Sequence, residues 1–168
     1  MNTNNYLSSY FLEYYGKLIP SIENIKLIMN YVKKYNSNPK MMYHLYPTES
    51  YIDFILIENG IEQITCLEPN AETVRSMINM RKELRSPNKD LVTIYNINPL
   101  SNEFIFSDAD VIFISFQSEY TNIMSKINND CKNNTLIIIE SYVKPLIKLN
   151  CIHIIFINDL ISIYFYKI

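Results

Sequence analysis

The residues with chemistry to offer collect at the ends of apolar runs. "QITCLEP" closes on Glu68 and passes at once into the helix-like "NAETVRSMINM", so a carboxylate sits where a strand hands over to a helix. "KMMYHLYP" carries His44 and leads into Thr48, Glu49 and Ser50, while Asn96 and Asn98 end the run "LVTIYNIN". Ser115, Gln117 and Glu119 fall in "SFQSEY", and Glu140, Ser141 and Tyr142 finish "NTLIIIESY". These types can accept or donate hydrogen bonds to a ligand and position a nucleophile. A local account of Glu68 stands beside that one: a carboxylate at a helix N-terminus is favourable by about 0.3 to 1 kcal/mol.

Composition limits what those residues can be doing. The chain has 168 residues, 48% hydrophobic and 19% charged, enough for one compact domain with a core. Cys66, Cys131 and Cys151 are widely spaced without a CxxC pair, and with two histidines they complete no zinc ligand set. No metal is expected, and reduced thiols point to a cytoplasmic protein. No apolar stretch reaches the roughly 20 residues that span a bilayer, and no leader pattern opens the chain. Net charge is -2 with basic residues scattered, which disfavours a nucleic-acid surface.

The elements that must position these residues alternate. Asn5 to Tyr35 reads as two helices broken near Pro20, with Ser21 as the N-cap of the second. "KMMYHLYP" is a strand, and "ESYIDFILIENG" a helix stopped at Gly60. "QITCLEP" is the next strand, followed by a helix from Ala71 to Leu84 with Val74, Met77, Ile78 and Leu84 near one face. "LVTIYNI", "ADVIFISF" and "NTLIIIESY" are further strands, the fourth trailed by the helical "SEYTNIMSKINNDC". Strands apolar on both faces, alternating with helices, predict a parallel sheet covered on each side. "CIHIIFI" and "ISIYFYKI" break the rhythm, because the few residues around Asn158 and Asp159 are too short for a crossover helix and make the last two strands antiparallel.

A parallel sheet finished by a hairpin resembles the class I S-adenosylmethionine (SAM) methyltransferases over Lys40 to Ile168. The resemblance implies an α/β, doubly wound, mostly parallel seven-stranded methyltransferase-type sheet with an antiparallel C-terminal hairpin, preceded by two N-terminal helices. It divides the chain into a helical segment, 1-38, and a Rossmann-like SAM-binding domain, 39-168. In that register Glu68 falls where the family carries the acid that accepts from the ribose hydroxyls. The implied cofactor set is Tyr46, Thr48, Glu49, Ser50, Glu68, Pro69, Asn70, Asn96, Asn98 and Ser115, with Ser115, Gln117, Glu119 and Tyr142 as candidates to face the substrate. The first loop departs from the family pattern: "LYPTES" contains no glycine, and the chain holds two glycines in all. Pro47 and Thr48 faintly resemble the matching loop of nicotianamine synthase-like enzymes, which transfer an aminopropyl group. The reading is a transferase moving methyl or aminopropyl from SAM to a small molecule or a partner macromolecule. The alternative is a non-catalytic scaffold subunit of the same fold that has lost cofactor binding. Tyr6, Tyr10, Phe11, Tyr14 and Tyr15 would then form a lid, a core face or a protein-partner face, including one for a homo-oligomer. His44 and His153 read as packed histidines, with His44 the one near enough to the cleft to act as a base.

Overall fold

A computed structural model of the protein describes residues 22–48, 51–115 and 120–168. The first expected helix, the Ser21 cap and the tyrosines from Tyr6 to Tyr15 lie outside the described residues. The chain runs α1 (Ile22–Tyr35), β1 (Met41–Leu45), α2 (Tyr51–Glu58), β2 (Gln63–Leu67), α3 (Ala71–Glu83), β3 (Val92–Tyr95), β4 (Val111–Ser115), α4 (Thr121–Asp130), β5 (Leu136–Ser141), β6 (Cys151–Phe156) and β7 (Ser162–Lys167). A 3-10 turn, Lys89–Leu91, precedes β3. The strands form one seven-stranded sheet in the order β3-β2-β1-β4-β5-β7-β6. β1 to β5 are mutually parallel, and β7 lies antiparallel between β5 and β6. This is the expected sheet, hairpin included.

Alternation along each strand divides the core in two. Met42, Ile64, Cys66, Val111, Phe113, Leu136 and Ile138 face one side, under Ile25, Ile28, Met29 and Val32 of α1, all of α2 but Asp53 and Glu58, and Met77 and Met80 of α3. Leu45, Leu67, Ile112, Ile114, Ile137 and Ile139 face the other, under Ile123, Met124 and Ile127 of α4. Each fully buried aliphatic side chain stabilises by about 1.5 to 3 kcal/mol relative to exposure, so the two layers hold the sheet between them. α1 therefore contributes a core stripe of its own.

Local chemistry sets the element ends. α2, "YIDFILIE", buries every residue from Tyr51 to Ile57, which makes it an interior helix with no solvent face. It stops where Gly60 adopts φ +115, with the Gly60 N–H donating to Ile57 O and the Ile61 N–H to Leu56 O, the paired bonds of a Schellman motif. α3 starts on Asn70, whose side chain accepts from the Glu72 and Thr73 N–H groups. Such a cap is worth about 1 kcal/mol. At the opposite end of the sheet, Asp110 accepts from the Lys40 and Met41 N–H groups at 2.8 and 3.2 Å and pins the start of β1. No helix among the described residues is long and apolar enough to cross a membrane.

Candidate functional site

Because β1 to β5 run parallel, their carboxyl ends open on one edge, and helix crossovers leave a crevice where the strand order reverses. That reversal lies between β1 and β4. β1 delivers Tyr46 there, β2 delivers Glu68, β3 leads to Asn96 and Asn98, and β4 and β5 end on Ser115 and on Glu140 with Ser141.

Glu68 is 7% exposed, and its Oε1 accepts the Asn70 N–H at 2.7 Å. Burial raises its pKa above the ordinary carboxylate value, against the opposing pull of that N–H and of His44. The helix cap belongs to Asn70, so the local account of Glu68 as the cap gives way to a side chain held just outside the helix. A carboxylate has about four acceptor positions, and one bond from Asn70 leaves room for a diol. Tyr46 stands beside it: burial and the Glu68 charge push its phenol pKa up. Its backbone is left-handed, φ 55, a conformation natural to glycine and uncommon for an aromatic residue. One residue of the glycine-free first loop thus takes a backbone region that glycine favours.

The remaining expected residues separate. Asn70 spends its side chain on the cap, and Asn96 donates from Nδ2 to the Glu68 and Pro69 carbonyls, both at 3.0 Å. Asn98 Oδ1 accepts from the Leu100 N–H at 2.9 Å within a turn. Thr48 and Pro69 are exposed, and Tyr142 stands 61% exposed beyond β5. Glu49, Ser50, Gln117 and Glu119 lie outside the described residues. Ser115 is drawn inward, at 2% exposure.

What drew it inward was not read from the sequence. His44, Cys66, Ser115 and Glu140 all occupy one face of the sheet, in the parity of the apolar residues that precede them, and Asp53 descends onto them from α2. His44 Nδ1 lies 2.7 Å from Asp53 Oδ1 and Nε2 lies 2.8 Å from Ser115 Oγ. The Cys66 thiol donates to Asp53 Oδ2 at 3.2 Å, and Ser115 Oγ approaches Glu140 Oε2 at 3.3 Å. Burial, then the Asp53 charge, pushes the Cys66 thiol pKa well up and keeps its proton in place. Exposure of these residues runs from 0 to 6%. The one available signal was Asp53 itself, a lone carboxylate in the middle of an apolar helix.

His44, Asp53 and Cys66 bring three metal-ligand atoms within 4.8 Å of one another. A tetrahedral zinc with ligands at about 2.0 to 2.3 Å would hold its donors about 3.3 to 3.8 Å apart. The 2.7 Å His44–Asp53 separation is instead the spacing of a hydrogen bond.

No protein-family model and no curated protein sequence matches the chain. Solved structures do. The RNA methyltransferase from Salinibacter ruber, in complex with S-adenosyl-L-homocysteine, superposes with a TM-score of 0.68 at 13% identity, over 85% of this chain and 91% of that one. Precorrin-6y C5,15-methyltransferase from Geobacter metallireducens gives 0.67 at 12% identity, over 90% of each. The fold is that of the class I methyltransferases. In this methyltransferase fold, Glu68 and the Asp53–His44–Ser115 chain occupy neighbouring strand ends around the β1/β4 switch point.

Proposed function

We propose that the chain is a SAM-dependent methyltransferase in which Glu68 receives the cofactor ribose. The observation that carries this is the buried, pre-oriented Glu68 carboxylate at the end of β2, one strand from the switch point and with acceptor capacity to spare. Tyr46, whose phenol feels the Glu68 charge, supports the same reading. The similar structures are methyltransferases, which favours methyl over aminopropyl transfer. Such a reaction asks the protein chiefly to hold a nucleophile in line with the carbon beside the sulfonium, so positioning supplies much of the rate. The acceptor is a small molecule or a group on a macromolecule.

Calorimetric titration with SAM and S-adenosylhomocysteine tests the reading. Charge-assisted bonds are worth about 1.5 to 3 kcal/mol, so Glu68→Ala should weaken binding by roughly 10- to 100-fold. Because Asn70 keeps the cap of α3, the same substitution should leave the unfolding midpoint nearly unchanged. A second reading, a binding subunit without chemistry, is favoured by the aromatic residue that stands in the left-handed position of the first loop. It prevails if the wild-type chain binds neither ligand at millimolar concentration.

A further inference from the structure

We propose that Asp53, His44 and Ser115 form a proton relay that takes up the proton a methyl acceptor must shed. This marks the acceptor as a hydroxyl or a protonated amine, and it rests on the methyltransferase reading above. The relay bridges β1 and β4, the two strands between which the sheet order reverses, and Ser115 closes β4 at the carboxyl edge, the edge on which ligands of such sheets bind.

Its direction follows from the donors. Asp53 takes the Cys66 thiol hydrogen on one oxygen and His44 Nδ1–H on the other, which fixes the imidazole tautomer and leaves Nε2 as acceptor for the Ser115 hydroxyl. In that order a carboxylate orients an imidazole that takes the hydroxyl's proton, and the hydroxyl oxygen can in turn receive one from a group that touches it. Once His44 carries both ring hydrogens, Nε2–H donates to Ser115 Oγ, and the Ser115 hydrogen turns to Glu140 Oε2 at 3.3 Å. Either protonation state of the ring finds its partners in place. Carboxylates around the ring are Asp53 from α2, in direct contact, Glu68 from β2, which senses His44, and Glu140 from β5, one hydrogen bond further on through Ser115.

The step balances. The acceptor's lone pair forms the bond to the methyl carbon of the sulfonium, and the carbon–sulfur bond breaks with its electron pair staying on sulfur. The acceptor's proton passes to Ser115 Oγ as the Ser115 proton moves to His44 Nε2, before the attack for a protonated amine, whose lone pair this frees, and during the attack for a hydroxyl. The resulting imidazolium is held between Asp53 Oδ1 and Ser115 Oγ, with Glu140 beyond the serine. Ser115 is the member that touches substrate, and His44 and Asp53 act through it.

The chain has two histidines, so a 15N-histidine-labelled sample gives a simple spectrum that His153→Gln assigns. At pH 7, Glu140→Gln should move the His44 Nε2 signal, and in a Ser115→Ala background the same substitution should leave it in place. An equal displacement in both backgrounds means a field acting through space, and no displacement means no connection; either overturns the relay. A second arm follows methyl from radiolabelled SAM to a phenol, a primary amine and a carboxylate. Transfer should go to the phenol or the amine. His44→Gln should lower kcat by about 10²- to 10⁴-fold, the usual span for proton transfer, with KM held. Transfer confined to the carboxylate, or an unchanged kcat, overturns it. If no compound on that panel is methylated, the spectroscopic arm decides. Failure of the wild-type chain to bind SAM would sink the methyltransferase reading and its acceptor class, while the spectrum would still report whether the three side chains form one connected path.

Discussion

The two histidines occupy opposite halves of the sheet and opposite kinds of environment. His44, on β1, is 1% exposed and held at both ring nitrogens by polar side chains. His153, on β6 at the sheet margin, is held by ring faces: Tyr31 of α1 stacks on it at 3.6 Å and 16°, and Phe165 lies 5.8 Å away. It sits where the β6–β7 register slips, and burial followed by the Lys34 charge lowers its pKa. One histidine is an electrostatic junction, the other a flat packing surface. Residue type does not distinguish them; strand parity and what the neighbouring strand brings do.

The largest expected break in this comparison is His44→Leu, which strands the Asp53 carboxylate in the core and should cost about 3 to 5 kcal/mol of unfolding free energy by denaturant titration. His153→Leu should cost less than about 1 kcal/mol, since the ring face is replaced by another apolar surface. Similar costs at both sites would erase the distinction. Next in size, the double substitution of His44 and Asp53 by Leu should be less damaging than the sum of the two single ones by about 1 to 3 kcal/mol, because no buried charge is left unpaired.

Glu68 sharpens the picture on the polar side. Burial raises its pKa in the folded state, so between the ordinary Glu value of about 4.3 and the raised one the folded chain binds more protons than the unfolded chain. Stability from this group therefore falls as pH rises through that window. Glu68→Gln should flatten the window and raise the melting midpoint at pH 7 by a degree or two, the signature of a side chain kept for a ligand. The smallest effect belongs to His153. Its lowered pKa means that the unfolded chain protonates first, so its share of stability is lost as pH falls through the ordinary histidine value of about 6.5. His153→Phe should remove that share of the acid slope, worth no more than about 2 °C in midpoint.

Much of the fold was legible because its signals are local. Continuous apolar runs gave the parallel strands, and the short stretch around Asn158 gave the hairpin, now seen with the Leu160 and Ile161 N–H groups both donating to Asn158 Oδ1. The sequence pattern overextends strand ends: "LVTIYNI" is a strand over Val92–Tyr95, beyond which Asn96 Nδ2 and the Ile97 N–H both donate to the Glu68 carbonyl. Glu68 was found by position in the series, although "PNAET" already named Asn70 as the cap. The polar chain was hidden. Its members lie 9, 71 and 25 residues apart, and only the register of the sheet puts them on one face. Asp53 in "YIDFILIE" was the visible anomaly, since an ionised side chain inside an otherwise apolar interior helix needs a partner.

The position of β7 has a consequence for how the chain is made. It leaves the ribosome after both of its neighbours, yet it lies between them. During synthesis the isoleucine-rich β5 therefore waits with one edge unpaired, and β6 has no strand beside it. Such an interval invites pairing with another nascent chain. The β5 edge is covered only once Ser162–Lys167 pairs with it, so the last strand of the described chain both completes the hairpin and shields the sheet's isoleucine-rich centre.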